Sequence, residues 1–537
     1  MKNKLWLCVL LFAALASVPF LLPGCGWVAL FAFVPLFKFA DMCDTGQVKH
    51  KGWLLYLAFI LFNTATTFWI NWISVAGAFA AITLNALQMW VIFRLFLYSR
   101  KYFKGGLPYL LLITMWIAWE RGYQNVEISW PWLILGNSLA TCPRLAQWYE
   151  YTGFLGGSLW ILLSNVFIYE TAKRIKVKSE TKYDVRSKVT MAAVTLILLI
   201  APPVLSLIIY NNYQETDDPV EVVAVQPNID AYTEKHGGLS QDIQDARMLE
   251  LVRTVITDST DYVITPETYT FRLNLDAPEQ TVTYNGVMNL LEEYPNTNFI
   301  LGAISHRFFD TRAKAPFNAS KVGDRWYVSY NTAMMIDSTG LRNYYHKSKL
   351  VPAVEIIPYQ KYLPFLGKIS EAFGGSSNGY GVSNDVNNLT SKEGTGVGVM
   401  ICYESIYGEW FRRTSLYGAQ FEAVITNDGW WGDTPGYRQH FRFAKLRAIE
   451  NRRDVVHVAN TGISGFIDQR GDVKQRTGWW VPCAIRDTVN LNSEKTFYAT
   501  AGDVTGRICS FLFLLLAIAL LVRRITSKQP RTCSRKS

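Results

Sequence analysis

The sequence predicts a polytopic α-helical membrane domain of about eight spans that carries a layered α/β domain. Three observations lead to this prediction: apolar runs of nearly membrane-spanning length, basic residues that recur in alternate loops, and one long region in which strand-like and helix-like segments alternate. Half of the 537 residues are hydrophobic and 14% are aromatic, a composition that excludes an intrinsically disordered chain.

The apolar runs lie towards the two ends of the chain. A helix needs about 20 apolar residues to cross the hydrocarbon core of a bilayer, and most runs approach that length. The runs cover residues 5–22, 26–40, 53–73, 75–98, 107–119, 154–169, 190–210 and 508–522. We therefore predict a seven-span membrane domain (1–210), an exported domain (211–505), a last span (506–525) and a basic tail (526–537).

The net charge of +10 divides unevenly along the chain. Residues 211–507 carry 29 Lys and Arg against 35 Asp and Glu, whereas the remainder carries 24 against 8. In the membrane part, 20 basic residues lie at the termini and in alternate loops, and only Arg121 and Arg144 lie in the opposite loops. Because basic residues collect on the cytoplasmic side, both termini are predicted to be cytoplasmic. The acidic exported domain offers no basic patch, so no nucleic-acid partner is expected.

The first apolar run allows a second interpretation. Leu22-Pro23-Gly24-Cys25 resembles the cleavage box of a lipoprotein signal peptide, which would be removed and leave Cys25 modified. A new apolar run begins directly afterwards, however, and Pro23-Gly24 is typical of a turn. We therefore favour a helical hairpin.

Cysteine and histidine usage bears on metal sites and disulfides. Only Cys402 and Cys483 of the eight cysteines lie in the exported domain, where they form either one disulfide or free thiols, one of them available for chemistry. There is no C-x-x-C or H-E-x-x-H motif, and the six His residues are scattered. The sequence therefore predicts no metal site and no cofactor.

The exported domain alternates strand-like and helix-like segments. Predicted strands cover residues 220–226, 261–265, 298–305, 332–337, 341–345, 396–401, 423–426 and 454–459. Predicted helices cover residues 241–256, 288–294 and 438–451. This alternation favours an α/β layered domain. Residues 356–388, rich in Gly, Ser, Asn and Pro, are typical of a lid or binding loop.

Three polar residues follow apolar strands: Glu267, Lys347 and Cys402. Taken singly, each has an ordinary structural explanation as a helix-end charge, a solvent-facing Lys or a small buried thiol. Together they supply a base, a cation and a nucleophile. Ligand sites of layered α/β sheets lie at the carboxyl ends of strands, so these residues are the candidate catalytic set.

The order of these motifs resembles the carbon–nitrogen hydrolase (nitrilase) superfamily. The matching motifs are Pro266-Glu267, Tyr345-His346-Lys347-Ser348-Lys349-Leu350-Val351-Pro352, Ile401-Cys402-Tyr403-Glu404 and Asn427-Asp428-Gly429-Trp430-Trp431. With seven spans before them and one after, the whole chain is similar to the apolipoprotein N-acyltransferase family. The resemblance implies a nitrilase-like αββα sandwich and a catalytic triad of Glu267, Lys347 and Cys402.

The chain departs from the family pattern in two places. Where the family has Phe-Gly-Glu after Leu-Val-Pro, this sequence has Ala353-Val354-Glu355. The Trp that follows the family's Gln-x-Asn-Ile segment is absent, and Lys235-His236 stands at the expected place, with Tyr232 nearby. These departures concern how lipid is held rather than the triad.

The resemblance implies acyl transfer from a phospholipid, with phosphatidylethanolamine the expected donor, to the α-amine of the diacylglyceryl-cysteine of an apolipoprotein. Cys402 would form a thioester, Glu267 would act as base and acid in turn, and Lys347 would stabilise the oxyanion. The backbone N–H of Tyr403 is a natural second oxyanion donor because it follows the nucleophile. Glu355 and Glu404 are expected to orient Lys347 and Cys402, unless they are ordinary capping or surface charges.

Further expectations concern substrate and setting. The candidate substrate contacts are Asn228, Tyr232, Asn427, Trp430 and Trp431. Segment 271–276 and loop 356–388 are candidate lids over the lipid tails. Trp130, Trp132, Trp148 and Trp160 fit an aromatic belt at the membrane surface or ordinary packing. By resemblance, the protein is a monomer in the bacterial cytoplasmic (inner) membrane with its catalytic domain in the periplasm.

Three alternatives remain open on the sequence. With water as acceptor, the protein would be a membrane-tethered nitrilase-type amidase or lipid hydrolase. A polytopic transporter or receptor is disfavoured because Arg94, Glu120 and Glu170 lie near span ends and no inverted repeat is visible. A Cys–His enzyme would use His440 or His346 as its base.

Overall fold

The computed structural model describes residues 2–44, 51–176, 185–235, 238–363 and 378–527, together with residues 365 and 367. Parts of the predicted lid loop 356–388 and most of the basic tail 526–537 lie outside these described residues, as does His236. The described chain forms a helical part and a two-sheet sandwich, which confirms the predicted fold class.

The helical part consists of long apolar helices. Their bounds are Lys2–Leu21, Val34–Asp44, Lys51–Thr67, Val75–Ser99, Leu107–Tyr123, Tyr149–Lys176, Val185–Asn212 and Val504–Thr526. Short 3-10 segments extend or join them at Gly26–Phe31, Phe68–Trp72, Pro131–Leu133, Leu135–Thr141 and Pro143–Leu145. Helix Lys2–Leu21 ends just before Gly24, whose φ of 74° makes the predicted turn.

Among the described residues, seven helical segments are long and apolar enough to cross a membrane. The remaining predicted span, residues 107–119, forms a shorter helix of 17 residues, Leu107–Tyr123. It packs against Val75–Ser99, Tyr149–Lys176 and Val504–Thr526. The outer surfaces of Val185–Asn212 and Val504–Thr526 are largely exposed and apolar, as lipid-facing helices require because lipid offers no partner to polar groups.

The sandwich consists of two sheets. Its strands are β1 Pro219–Gln226, β2 Tyr262–Ile264, β3 Thr270–Asn274, β4 Asn298–Phe309, β5 Ser320–Val322, β6 Arg325–Asp337, β7 Gly340–His346, β8 Leu389–Thr390, β9 Gly396–Ile401, β10 Phe421–Thr426, β11 Val455–Ala459, β12 Gly465–Ile467, β13 Val473–Arg476 and β14 Cys483–Asn490. The first sheet has the order β14-β1-β2-β4-β6-β5, with β3 against β4 and β7 against β6. The second has the order β13-β12-β11-β10-β9-β8.

Parallel strands form the centre of each sheet. Strands β1, β2 and β4 are parallel in the first sheet, and β9, β10 and β11 are parallel in the second. Parallel central strands are buried on both faces, which explains why their sequences are mostly β-branched and apolar, with Glu422 and His457 as the ionisable exceptions in β10 and β11. Strands β6 and β7 form a hairpin, with Asp337 opposite Gly340.

Helices cover both outer faces of the sandwich. Their bounds are Gln241–Arg253, Val282–Glu293, Gly408–Leu416, Pro435–Asn451 and Phe497–Ala501. The first two pack on the first sheet through residues such as Met248 and Leu290. Residues such as Ile264 and Val399 fill the space between the sheets. The layers are therefore helix, sheet, sheet and helix, the predicted αββα arrangement.

The outer face of the second sheet shares its core with the membrane helices. One buried cluster runs from Val424 through Phe443, on helix Pro435–Asn451, to Trp69 and Phe154 of the helical part. Burying such large side chains contributes roughly 1.5–3 kcal/mol for each of them. The sandwich is therefore packed firmly against the helices. The ends of its strands consequently have a defined position relative to the membrane part.

Candidate active site

The candidate site lies where strands of the two sheets end. Glu267 follows β2, Lys347 follows β7, and Cys402 follows β9. The first two strands belong to one sheet and β9 to the sheet packed against it. Glu267 and Lys347 are buried, the latter completely. The sandwich therefore gathers the three predicted catalytic residues from distant parts of the sequence.

Glu267 and Lys347 form a buried ion pair. Lys347 Nζ donates to Glu267 Oε1 at 3.1 Å and to the Glu355 carboxylate at 2.9 Å. An ammonium group has three N–H donors, so two carboxylates leave one donor for another acceptor. Glu355 Oε2 also accepts from the backbone N–H of Val351 at 2.8 Å, which fixes the carboxylate beside the lysine.

Asn331 on β6 joins the two carboxylates and was not identified from the sequence. Its Nδ2 donates to Glu267 Oε1 at 2.7 Å and to Glu355 Oε1 at 3.1 Å. Its backbone carbonyl accepts from the N–H of Lys347 at 2.8 Å. The only sequence signal was a polar residue inside the apolar half of a strand, a signal that many structural Asn residues also give.

Cys402 occupies a strained turn between β9 and the 3-10 segment Cys402–Ile406. Its φ is 53°, in the left-handed region that a residue with a Cβ atom rarely adopts. A nucleophile on a tight turn after a strand projects its side chain from the end of the sheet. The thiol is free, and so is that of Cys483, so the disulfide interpretation is wrong.

The charges of the three residues define the resting state. Burial raises the pKa of Cys402 well above its ordinary value, and the negative charge of Glu267 raises it further, against the opposing charge of Lys347. Burial would also raise the pKa of Glu267, but Lys347, Asn331 and Lys235 together hold it below its ordinary value. The site therefore rests as a thiol beside a carboxylate, which is a base positioned to accept a proton.

Lys347 stays charged in this environment. Burial lowers the pKa of Lys347, but the carboxylates of Glu267 and Glu355 more than offset that effect, so it lies well above its ordinary value. A positive charge that persists in a dry site stabilises negative charge that develops on a substrate oxygen.

Glu404 connects the turn at Cys402, which we call the nucleophile turn after the predicted role of that residue, to the segment that follows Lys347. Its Oε1 accepts from the N–H of Ser348 at 2.6 Å and of Lys349 at 2.9 Å, and from Tyr345 Oη at 2.7 Å. Its Oε2 accepts from the N–H of Ile401 at 3.0 Å. This buried carboxylate is therefore not a surface charge; it caps the 3-10 segment Cys402–Ile406 through Ile401 and also binds the backbone after Lys347.

Tyr403 and Trp431 belong to a buried aromatic cluster with the helical part. The Tyr403 ring stacks on Trp130 at 5.9 Å, and its hydroxyl donates to the carbonyl of Ser129 at 2.7 Å. Trp431 lies 4.9 Å from Trp69 and 5.6 Å from Trp132, measured between ring centroids. The residues after Cys402 are thus packed against the outer loops of the membrane helices.

The buried or half-buried positions of Trp130, Trp132, Trp148 and Trp160 support packing rather than a belt. Trp132 lies within the cluster just described, and Trp148 packs on Trp160 at 5.8 Å. The tryptophans with exposed rings are different ones, among them Trp53 and Trp72.

Tyr232 and Trp430 lie at the edge of the contact between the sandwich and the helical part, which we call the seam. The exposed Tyr232 donates to the carbonyls of Trp72 at 3.1 Å and Trp430 at 3.0 Å, and its ring meets the Trp430 ring edge-on. Tyr232 thus connects the sandwich to segment Phe68–Trp72 of the helical part.

Asn427 lies beside Glu267, and Asn228 is connected to it through Asn460. The Asn427 N–H donates to Glu267 Oε2 at 3.2 Å, and its Oδ1 accepts from Asn460 Nδ2 at 3.2 Å. Asn228, with a φ of 53°, donates its N–H to the carbonyl of Asn460 at 2.9 Å. Among the described groups, Asn427 Nδ2 and Asn228 Oδ1 are buried without a hydrogen-bond partner. These two polar atoms are suited to contacts with a substrate.

Lys235 is a second buried cation of the site. Its Nζ donates to Thr268 Oγ1 at 2.9 Å and to the carbonyl of Glu267 at 3.3 Å. Burial lowers the pKa of Lys235 to about 8, although the negative charge of Glu267 opposes that effect. Lys235 therefore lies against the backbone of Glu267, whereas Tyr232 lies at the contact with the helical part.

The position of His440 gives little support to the alternative in which a His serves as the base for Cys402. Its Nε2 lies 3.2 Å from the backbone carbonyl oxygen of Cys402 and 2.7 Å from Ser405 Oγ, and its Nδ1 lies 3.0 Å from Asp428 Oδ1. His440 thus contacts the backbone of the nucleophile turn. His346 stacks on Tyr330 and contacts Thr332 Oγ1.

Asp428, His440 and His457 form a buried group that the sequence analysis missed. One ligand-type atom from each of the three lies within 4.8 Å of the others, a spacing that a metal ion could bridge. Their contacts within the chain already give the first two a positioning role at the nucleophile turn. Burial lowers the pKa of His457 to about 4, so its ring is neutral near pH 7.

Segment 271–276 does not have the structure expected of a free lid. Residues Thr270–Asn274 form β3, which pairs with β4 across a register shift, so their backbone groups belong to the sheet. Phe271 lies 5.7 Å from Lys235 Nζ, measured to the ring centroid. In loop 356–388, the described residues Tyr362 and Phe365 expose their rings.

Two family models match this chain. The model described as carbon-nitrogen hydrolase matches residues 224–493, and the one described as apolipoprotein N-acyltransferase N-terminal domain matches residues 12–167. The apolipoprotein N-acyltransferase of Chlorobaculum tepidum is 30% identical over 93% of this chain and 92% of its own length. That of Geobacter metallireducens is 25% identical over 94% and 93%. That of Pasteurella multocida is 24% identical over 96% and 94%.

Proposed function

Because the chain belongs to the apolipoprotein N-acyltransferase family, we propose that its acyl transfer proceeds through a thioester on Cys402. The protein is a membrane acyltransferase of lipoprotein N-acylation with a nitrilase-type domain. The observation that carries the mechanism is the buried pair of Glu267 and Lys347, 3.1 Å apart, in electrostatic contact with the Cys402 thiol.

The first half-reaction forms the thioester. Glu267 accepts the thiol proton, and Cys402 Sγ attacks the ester carbonyl of a phospholipid. The resulting oxyanion accepts hydrogen bonds from the third N–H of Lys347 and from the Tyr403 backbone N–H. The ester C–O bond then breaks, and Glu267 returns the proton to the leaving lyso-phospholipid alkoxide. Phosphatidylethanolamine is the proposed donor.

The second half-reaction transfers the acyl group to the lipoprotein. The α-amine of the diacylglyceryl-cysteine attacks the thioester carbonyl, and Glu267 accepts the amine proton. The C–S bond breaks, and the thiolate regains a proton from Glu267. Both acceptor and donor carry acyl chains, which explains why the domain sits on membrane helices. Water as acceptor is not favoured, because the relatives are N-acyltransferases.

Residues around the triad position its members. Glu355 and Asn331 fix the side chains of Lys347 and Glu267 relative to each other through the hydrogen bonds described above. Glu404 ties the nucleophile turn to the lysine segment. The unpaired atoms of Asn228 and Asn427 contact the substrate, while Tyr232, Trp430 and Trp431 support the seam through which lipid approaches.

The orientation in the bilayer follows from charge. Arg100 and Lys173 both pair with Asp41, so the ends of three helices meet here, each of which precedes a basic stretch of the sequence. The sandwich is joined to the other end. We place residues 1–210 and 506–525 in the bacterial inner membrane, with the termini and the tail 526–537 in the cytoplasm and 211–505 in the periplasm, as a monomer.

Reconstitution with both substrates tests this function. The purified full-length protein in phosphatidylethanolamine vesicles should convert a diacylglyceryl-cysteine peptide to its N-acyl form and release lyso-phospholipid in equal amount. Release of free fatty acid without acylated peptide would instead establish the hydrolase alternative.

A further inference from the structure

A cavity lies between the membrane helices and the sandwich. It has a volume of about 220 Å³ and is lined by Arg121, Gln124, Lys349, Trp410, Arg413 and Asp503, among others. Arg121 belongs to the last turn of helix Leu107–Tyr123, and Asp503 caps helix Val504–Thr526. Trp410 and Arg413 come from helix Gly408–Leu416 of the sandwich.

The charges of this cavity are unbalanced. Both carboxylates of its lining pair with arginines: Asp503 with Arg121 of the same lining at 3.2 Å, and Glu409 with Arg412 at 2.6 Å. Among the residues that the structure describes, no carboxylate lies within 4.0 Å of the side-chain nitrogens of Lys349 or Arg413. Three lining cations, Lys349, Arg413 and Arg507, therefore have no salt bridge to a carboxylate that the structure describes, and Arg507 instead donates to the carbonyl of Ala501 at 2.6 Å. Lys349 and Arg413 are the two cations that share one aromatic neighbour.

Both cations are held against the same indole ring. Lys349 Nζ lies 5.1 Å and the Arg413 guanidinium 5.1 Å from the centroid of the Trp410 ring. Lys349 Nζ also lies over Tyr407 and donates to the Gln124 carbonyl at 3.4 Å. Burial lowers the pKa of Lys349, and the charge of Arg413 lowers it further, whereas Glu404 opposes them. Lys349 and Arg413 are both half-buried, and two like charges kept together and partly out of water cost free energy that a bound anion recovers.

The position of the cavity indicates where that anion comes from. Its lining includes the ends of two membrane helices that face the sandwich, the level at which the phosphates of a bilayer leaflet lie. The apolar side chain of Phe154 forms part of the wall. Ile508 and Phe511 are exposed on the first turns of helix Val504–Thr526, beside the cavity. An anionic group attached to acyl chains fits both features.

We propose that this cavity binds the phosphodiester group of a membrane phospholipid, with Lys349 and Arg413 as its ligands. The bound lipid lies outside the acyl-transfer site and fills the seam between the two parts of the protein. No acyl group is transferred there, so the proposal stands apart from the chemistry of Cys402.

Crosslinking locates such a lipid. The purified full-length protein, freed of lipid, is incubated with phosphatidylglycerol that carries a diazirine in its headgroup, irradiated and digested. We expect labelling of the peptide that contains Trp410. In Lys349→Gln/Arg413→Gln this labelling should fall at least tenfold, while the charge-retaining Lys349→Arg/Arg413→Lys protein keeps it. The matched control Lys321→Gln/Arg325→Gln, which removes two exposed charges of β5 and β6, should also keep it.

Three results would overturn the proposal. The first is labelling of the Trp410 peptide that persists in the glutamine variant. The second is labelling confined to other peptides in the unaltered protein. The third is equal protection of that peptide by inorganic phosphate and by unlabelled phosphatidylglycerol at the same concentration, which would identify a free-anion site. Thermal unfolding of each variant shows that a loss of labelling does not reflect loss of the fold.

Discussion

Asn331 Nδ2 lies 2.7 Å from Glu267 Oε1, so a strand amide holds the proposed catalytic base in its charged form. The same nitrogen donates to Glu355, the other carboxylate on Lys347. A hydrogen bond to the ionised form lowers the pKa of a carboxyl group, and Asn331 contributes to the lowered pKa of Glu267.

Asn331→Ala should therefore move the pH dependence of thioester formation. Without the amide, the pKa of Glu267 rises, so a larger fraction is protonated at acidic pH and cannot accept the thiol proton. The acid limb should shift to higher pH, with a loss of about tenfold on that limb for each pKa unit gained. The measurement is the rate of acyl-enzyme formation against pH. Asn285→Ala, an exposed Asn, should leave the profile in place; an unshifted Asn331→Ala profile would contradict this role.

Glu267→Gln should abolish proton transfer, while the size and shape of the side chain stay nearly the same. General acid–base groups contribute roughly 100- to 10,000-fold, and we expect a loss in that range for both half-reactions. Single-turnover acylation by phospholipid and deacylation by a diacylglyceryl peptide measure them separately. Glu279→Gln, on an exposed segment, is the matched control and should remain fully active. A Glu267→Gln enzyme within twofold of normal would remove Glu267 from the mechanism.

His440→Gln should be far milder than Glu267→Gln. The glutamine amide can still donate to the Cys402 carbonyl, the contact that His440 Nε2 makes at 3.2 Å. We expect more than a tenth of the normal acylation rate to remain. Equal losses in the two variants would revive the Cys–His interpretation of the site.

Glu404→Gln should destabilise the protein as well as slow it. Its two oxygens accept from three backbone N–H groups, and an amide would turn an N–H towards some of these donors. A buried donor without a partner costs roughly 1–3 kcal/mol. The unfolding temperature should fall by several degrees relative to Glu393→Gln, an exposed control. An unchanged unfolding temperature would show that the turn does not depend on this carboxylate.

Much of the fold followed from pattern alone. Continuous apolar runs predicted both the membrane helices and the parallel strands, and β9 has the predicted bounds of 396–401. Strands β3, β5, β8, β12, β13 and β14 were missed, because each is short or polar and forms only by pairing with a neighbour. Their stability comes from tertiary contacts that the local sequence does not encode.

Site residues could be predicted only where a reactive or charged side chain stands out from an apolar stretch of sequence. Glu267, Lys347 and Cys402 stood out because each polar side chain ends an apolar run, and the family pattern supplied their order. Asn331 and Lys235 carried no such mark, since a buried amide and a loop lysine are common. Their roles depend on which atoms the two sheets bring together, and that depends on register.

Intact mass of the purified protein after incubation with phosphatidylethanolamine alone shows whether Cys402 carries the acyl group. We expect a gain of one acyl group on the unaltered chain, released by hydroxylamine, and no gain on Cys402→Ala. Acylation of Cys402→Ala to the same extent, or lipoprotein N-acylation completed by that variant in membranes, would contradict the thioester mechanism.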